Sequence, residues 1–183
     1  ERPYVWRRLG DLALPSREIF VGDPTWGDDY HLNATASVPA DTLAVWVLSP
    51  GQTDSPYTSH VNGLLWLEAN GGTPSTVGTR LEFGVDAACI GLGDVAAGRA
   101  FAELTELELD AGRGDSFEWI QPYIQAEPNY ARWLAVPPAQ LPMFVASTGN
   151  DGGFAAAWLQ DDAGALSGIL IDVQGRKSDD RFL

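Results

Sequence analysis

The sequence predicts a mainly β protein: an antiparallel sandwich or barrel-like sheet with a one- or two-helix insertion, α+β being the alternative. Three observations carry this. Residues 144–173 read as three apolar runs joined by the turns Gly149-Asn150-Asp151-Gly152-Gly153 and Asp161-Asp162-Ala163-Gly164, the pattern of a β-meander. Strand-length apolar runs recur before residue 90, and a helical period occurs only after it. Strands and helices therefore do not alternate as a doubly wound sheet requires.

Along the chain, residues 1–17 are mixed and basic, with Pro3 and Pro15 as breakers, and read as an N-terminal extension packed on the domain. A single β-rich domain is expected over 18–174, and a polar tail over 175–183. Glu18-Ile19-Phe20-Val21 is a short strand, stopped by Gly22-Asp23-Pro24 because proline cannot donate to a central ladder. Leu43-Ala44-Val45-Trp46-Val47-Leu48 is a continuous apolar run, which predicts a strand covered on both faces. A Pro/Gly/Ser loop at 49–59 leads to its partner at 61–69, and residues 80–85 alternate like a half-buried strand. Asp94 is placed to cap a helix carrying Ala97, Phe101, Leu104 and Leu107 at spacings of three and four. Asp115 is placed to cap a second helix with Phe117, Trp119 and Ile120, limited by Pro122. Residues 129–134 read as a helical turn.

Eleven basic against 25 acidic residues leave a net charge of −14, spread over both halves of the chain. Such a surface repels nucleic acid and anionic membranes, and no apolar run is long enough to span a bilayer. The lone Cys89 excludes an internal disulfide and suits a reducing cytoplasm. Ten arginines against one lysine, with abundant Ala and Gly, point to a GC-rich bacterial genome.

Three segments carry a resemblance. They are Leu14-Pro15-Ser16-Arg17-Glu18-Ile19-Phe20-Val21-Gly22-Asp23-Pro24, then Phe83-Gly84-Val85-Asp86-Ala87-Ala88, then Ser147-Thr148-Gly149-Asn150-Asp151-Gly152-Gly153-Phe154. In that order the chain resembles the bacterial domain-of-unknown-function family 4241 over about residues 10–173. The resemblance implies a single β-rich domain and no particular reaction. Ala88 stands where that family has glycine, and Asn150 alters its Gly-Asp-Gly approach.

Asp23, Asp86 and Asp151 sit on turns, with Asp28, Asp29 and His31 near the first in sequence. Carboxylates on adjacent loop ends can hold a divalent cation, whereas Asp in a Gly-flanked turn ordinarily bonds its own backbone. Two histidines, His31 and His60, and one cysteine are too few for the usual zinc cages. No Gly-x-Ser-x-Gly elbow is present. Gly91-Leu92-Gly93-Asp94-Val95-Ala96 mimics a dinucleotide fingerprint but lacks its strand–helix–strand unit and places a carboxylate where a pyrophosphate would lie.

Of seven tryptophans, Trp46, Trp66 and Trp158 lie inside apolar runs and are expected to fill the core. Trp26, Trp119 and Trp133 are the candidate binding residues. The expectation is a non-enzymatic cytoplasmic protein-binding module, immunity- or regulator-like, with an acidic surface, a basic protein as partner and no cofactor. The alternative is a metal-dependent hydrolase or small-molecule-binding protein using Asp23, Asp86 and Asp151 with a divalent metal.

Overall fold

The computed structural model describes residues 4–26, 33–50, 63–113, 116–126 and 129–173. The strands are β1 (Tyr4–Ala13), β2 (Glu18–Gly22), β3 (Ala34–Ser37), β4 (Thr42–Pro50), β5 (Leu64–Glu68), β6 (Thr76–Val85), β7 (Cys89–Asp94), β8 (Ala131–Val136), β9 (Leu141–Ser147), β10 (Gly152–Gln160) and β11 (Leu166–Asp172). Between β7 and β8 come the helices α1 (Val95–Asp110) and α2 (Phe117–Ile124). The strands form a six-stranded sheet, β1-β4-β5-β11-β10-β6, and a five-stranded sheet, β3-β2-β7-β9-β8. Every pairing is antiparallel. This is a sandwich with a helical insertion; the sheets do not close into a barrel.

Alternation along the strands builds two cores. Val45, Val47, Leu65, Leu67, Ile169 and Ile171 of the larger sheet meet Ile19, Val21, Ile90, Leu92 and Phe144 of the smaller one. The opposite faces of β2, β7 and β9 turn Phe20, Cys89, Met143 and Val145 towards Phe101 of α1 and Ile120 of α2. Strand β7 is therefore buried at every residue, one face in each core. Its glycines let the neighbouring layer come close: a Cβ on Gly91 would lie 2.9 Å from the Pro24 ring.

Helix α1 starts where Asp94 caps it, its Oδ1 accepting from the Ala96 N–H at 3.0 Å. The other oxygen accepts from the N–H and hydroxyl of Ser16, at 2.9 and 2.7 Å. Burial alone would raise the Asp94 pKa, but the bonds from Ala96 and Ser16 outweigh it and hold the carboxyl below the usual aspartate value. A depressed folded-state pKa stabilises above the unfolded value of about 3.9 and loses that contribution as pH falls through the folded value. Asp94→Ala should cost about 1–2 kcal/mol at neutral pH. In chemical denaturation across pH, that gap should close below about pH 4. A gap that stays constant on acidification would refute this account of the cap.

Several sequence expectations are corrected. Within the residues read as an extension packed on the domain, Tyr4–Ala13 is an edge strand paired along β4, with a bulge between Arg8 and Gly10. The 144–173 stretch is not one meander. Strands β10 and β11 form a hairpin, but β9 pairs with β7 and β8 in the other sheet, so the Gly149–Gly153 turn crosses between sheets. The segment read as a helical turn at 129–134 contributes strand β8. Only one face of β4 is fully covered: Leu43, Val45 and Val47 are buried, whereas Ala44, Trp46 and Leu48 are half-buried. Trp158 is a core residue as expected. Trp46 and Trp66 instead pair across strands on the outer face, the Trp46 indole donating to Glu68 at 3.0 Å. Helix α2 runs through Pro122 for two more residues, and its N-cap is Ser116. Asp28, Asp29, His31, His60, Asp115, the 51–59 part of the polar loop and the 175–183 tail lie outside the described residues.

Candidate functional site

At one end of the sandwich three turns meet, and two of the turn aspartates fasten them. Asp23 is fully buried just beyond β2. Its Oδ1 accepts from the N–H and hydroxyl of Thr25, at 2.9 and 2.6 Å, making an Asx-type turn. Its Oδ2 accepts from the Asp86 and Ala87 N–H groups, at 2.8 and 2.7 Å, in the β6–β7 crossover. Asp151, in the β9–β10 crossover, accepts from the Ala88 N–H at 2.9 Å. Ala88 adopts a left-handed φ of 48°, a conformation that normally favours glycine.

The metal-ligand expectation for Asp23, Asp86 and Asp151 is therefore replaced by a structural role for two of them. Asp23 and Asp151 spend oxygens on backbone N–H groups, while the exposed Asp86 side chain stands on the turn they hold. Among the described residues, no three His, Cys, Asp or Glu side chains group closely enough to hold a metal ion. Cys89 follows this turn and is fully buried. Burial pushes its thiol well up, and the negative charges of Asp23 and Asp151 add to the effect. It is held as the protonated thiol, a poor nucleophile.

The three candidate tryptophans occupy different settings. Trp133, on β8, is half-buried and packs edge-on against Phe144 at 5.2 Å between ring centres. Its indole N–H donates to the Leu9 carbonyl at 2.7 Å, at the β1 bulge. Gly10, at φ 136°, makes room, since a Cβ there would sit 3.0 Å from the indole nitrogen. Trp133 thus ties the edges of the two sheets together and is committed to the fold rather than to a ligand. Trp26 is half-buried after the Asp23 turn, where its carbonyl accepts from the Asn33 amide at 2.8 Å. Trp119 alone of the three lies at the surface. It is 38% exposed on α2, with its ring 5.6 Å from Phe101 and 6.2 Å from Tyr123.

Trp119 shares the helix layer with the end of α1, whose chemistry the sequence pattern did not reveal. The residues of α1 facing the sheet are Ala97, Gly98, Phe101, Ala102 and Thr105. Leu107, expected on that buried face, is 64% exposed, and Leu109 is 55% exposed. The helical rotation of about 100° per residue explains Leu107: it falls nearly opposite Gly98 and Ala102. Leu109 does continue the buried line, but beyond the reach of the sheet. The signal available in sequence was the pairing itself, because leucines two apart on a helix cannot share one face.

The electrostatics of this helix end are unfavourable by themselves. Glu103, Glu106 and Asp110 follow one another at spacings of three and four, and like charges so placed repel by about 0.2–0.5 kcal/mol per pair. The last turn holds no basic residue, although the negative end of the helix dipole favours one. Arg113, just beyond, gives a forked pair of bonds to Glu108 at 2.6 and 2.9 Å. That pair lowers the Glu108 pKa and raises that of Arg113, in each case chiefly through the hydrogen bonds.

No family model matches the sequence, and no curated protein or solved structure matches it. Among the described residues, no helix is long and apolar enough to cross a membrane.

Proposed function

We propose that this chain is a non-enzymatic, cytoplasmic bacterial module that binds a basic protein, in the manner of an immunity or regulatory protein. The binding surface is the acidic, tryptophan-bearing helix layer. The observation that carries the reading is Trp119: a large indole left 38% exposed on the layer where α1 lines up its carboxylates. Large aromatic side chains are over-represented among interface hot spots, and a net charge of −14 steers a cationic partner inward. The same charge argues against nucleic acid as partner.

Membership of family 4241 is part of the proposal. It is supported by the meeting of the three resembling segments, since Asp23 and Asp151 each accept hydrogen bonds from the 86–88 turn. The binding reading is tested by affinity capture at low and high salt with native protein and Trp119→Ala. We expect capture of a basic protein that fades at high salt and falls at least roughly tenfold in the variant. Equal capture by both proteins would remove Trp119 from the interface and this reading with it.

A further inference from the structure

We propose that the partner's contact element is a cationic amphipathic α-helix laid along the solvent face of α1. This deepens the reading above and rests on it. Helical spacing puts Ala100, Leu104, Leu107 and Ala111 on one line, at i, i+4, i+7 and i+11. Exposure grows along that line: Ala100 and Leu104 are half-buried, Leu107 is 64% exposed, and Ala111 is exposed. Beside it runs the acidic line Glu103, Glu106 and Asp110, all exposed. On the other side Trp119 stands over Phe101, one turn before Leu104, and the Glu108–Arg113 pair follows towards the end of the helix. Helix α1 thus carries two apolar lines. The first, from Ala97 to Thr105, is buried on the sheet, and the second is open.

The chemistry of the open line selects its occupant. Spacings of three and four residues match the seam between two packed helices, whereas a strand would present side chains at every second position. Charge settles which helix. Within α1, Glu103, Glu106 and Asp110 stand against Arg99 alone, since Glu108 is paired with Arg113 beyond the helix. A second copy of this chain would set one carboxylate line against another. A helix with leucine-type residues on its seam and lysine or arginine on its flanks would neutralise the acidic line and the negative end of the α1 dipole together.

The test uses a synthetic helix-patterned leucine/lysine peptide, the same composition in alternating order, and a leucine/glutamate helix, titrated by fluorescence anisotropy. The helix-patterned leucine/lysine peptide should bind saturably and more weakly as salt rises. The alternating peptide should bind at least roughly tenfold more weakly, and the glutamate peptide not at all. Leu107→Ser, at a site too exposed to support the fold, should weaken binding roughly tenfold, and Glu106→Lys should do the same. Equal binding to native protein and Leu107→Ser, equal binding of both lysine peptides, or no binding would overturn the inference. Binding that ignores Leu107→Ser but falls in Trp119→Ala would overturn helix docking while leaving the acidic tryptophan surface standing. No capture of a basic protein by the native chain, or equal capture by native protein and Trp119→Ala, in the experiment above would instead remove the broader reading.

Discussion

Asp23→Ala is expected to lower the stability of this protein by about 4 kcal/mol. The side chain is fully buried and accepts four hydrogen bonds. Bonds to an ionised acceptor contribute about 1.5–3 kcal/mol, and each buried N–H left without an acceptor adds a desolvation cost of about 1–3 kcal/mol. Thr25 sits on the same turn and can turn to water, so the Asp86 and Ala87 N–H groups in the β6–β7 crossover dominate the loss. For a chain of this size the melting temperature should drop by about 8–16 °C. Asp23→Asn keeps the shape but presents an amide NH2 to those same donors, and should lose most of the same stability. Denaturant titration of both variants is the check. A loss below about 1 kcal/mol in each would show that the crossovers are held by something else.

Gly168→Ala should follow, at about 3 kcal/mol. Gly168 lies in β11, opposite Glu68 of β5 and near the middle of the six-stranded sheet. A Cβ there would meet the Trp66 ring and come within 2.5 Å of the Leu67 carbonyl oxygen. The ring can swing aside, but the carbonyl belongs to the neighbouring strand and moves only if the ladder moves. Trp66→Leu in the same chain should therefore restore part of the stability and leave the backbone clash. Gly153→Ala is the control, because a Cβ at that position meets nothing within 4 Å. It should change stability by less than about 0.5 kcal/mol. Similar losses in both glycine variants would mean that contact with Trp66 and Leu67 is not the cause.

What the sequence revealed was local. The Asp94 cap is a relation between residues two apart, and the β10–β11 hairpin is closed by a short turn. Both are written in neighbouring residues. What it concealed was partnership at a distance. Nothing between Ser147 and Gly152 says that the chain changes sheets there, because a tight turn and a crossover draw on the same Gly, Asn and Asp. The run from Leu43 to Leu48 hid its alternation because both faces are apolar, so only the folded sheet distinguishes Val45 from Trp46. The basic first residues masked the pairing of Tyr4–Ala13, since an edge strand tolerates arginines that a central one would not.

The candidate site divides along the same line. Trp119 was legible as a surface aromatic because polar residues surround it. Trp133 was not legible as a bracket, since its use depends on Leu9 and Gly10, more than a hundred residues away. Of the turn aspartates, Asp23 and Asp151 meet the 86–88 turn through its backbone N–H groups, while the Asp86 carboxylate stays exposed. Their chemistry differs from the cation reading because the nearest positive partners are backbone N–H dipoles.

The clasp at the crossovers also has a consequence in time. Its bonds close chain separations of 63 and 64 residues. Long loops bear their closure entropy before any contact rewards it, so such bonds belong among the last to form. Stability contributed after the rate-limiting barrier acts on the rate of escape from the native state and leaves the rate of entry nearly untouched. In stopped-flow measurements the loss in Asp23→Ala should accordingly fall on the unfolding limb. The two aspartates act as a latch: they set how long the finished sandwich lasts rather than how quickly it is made.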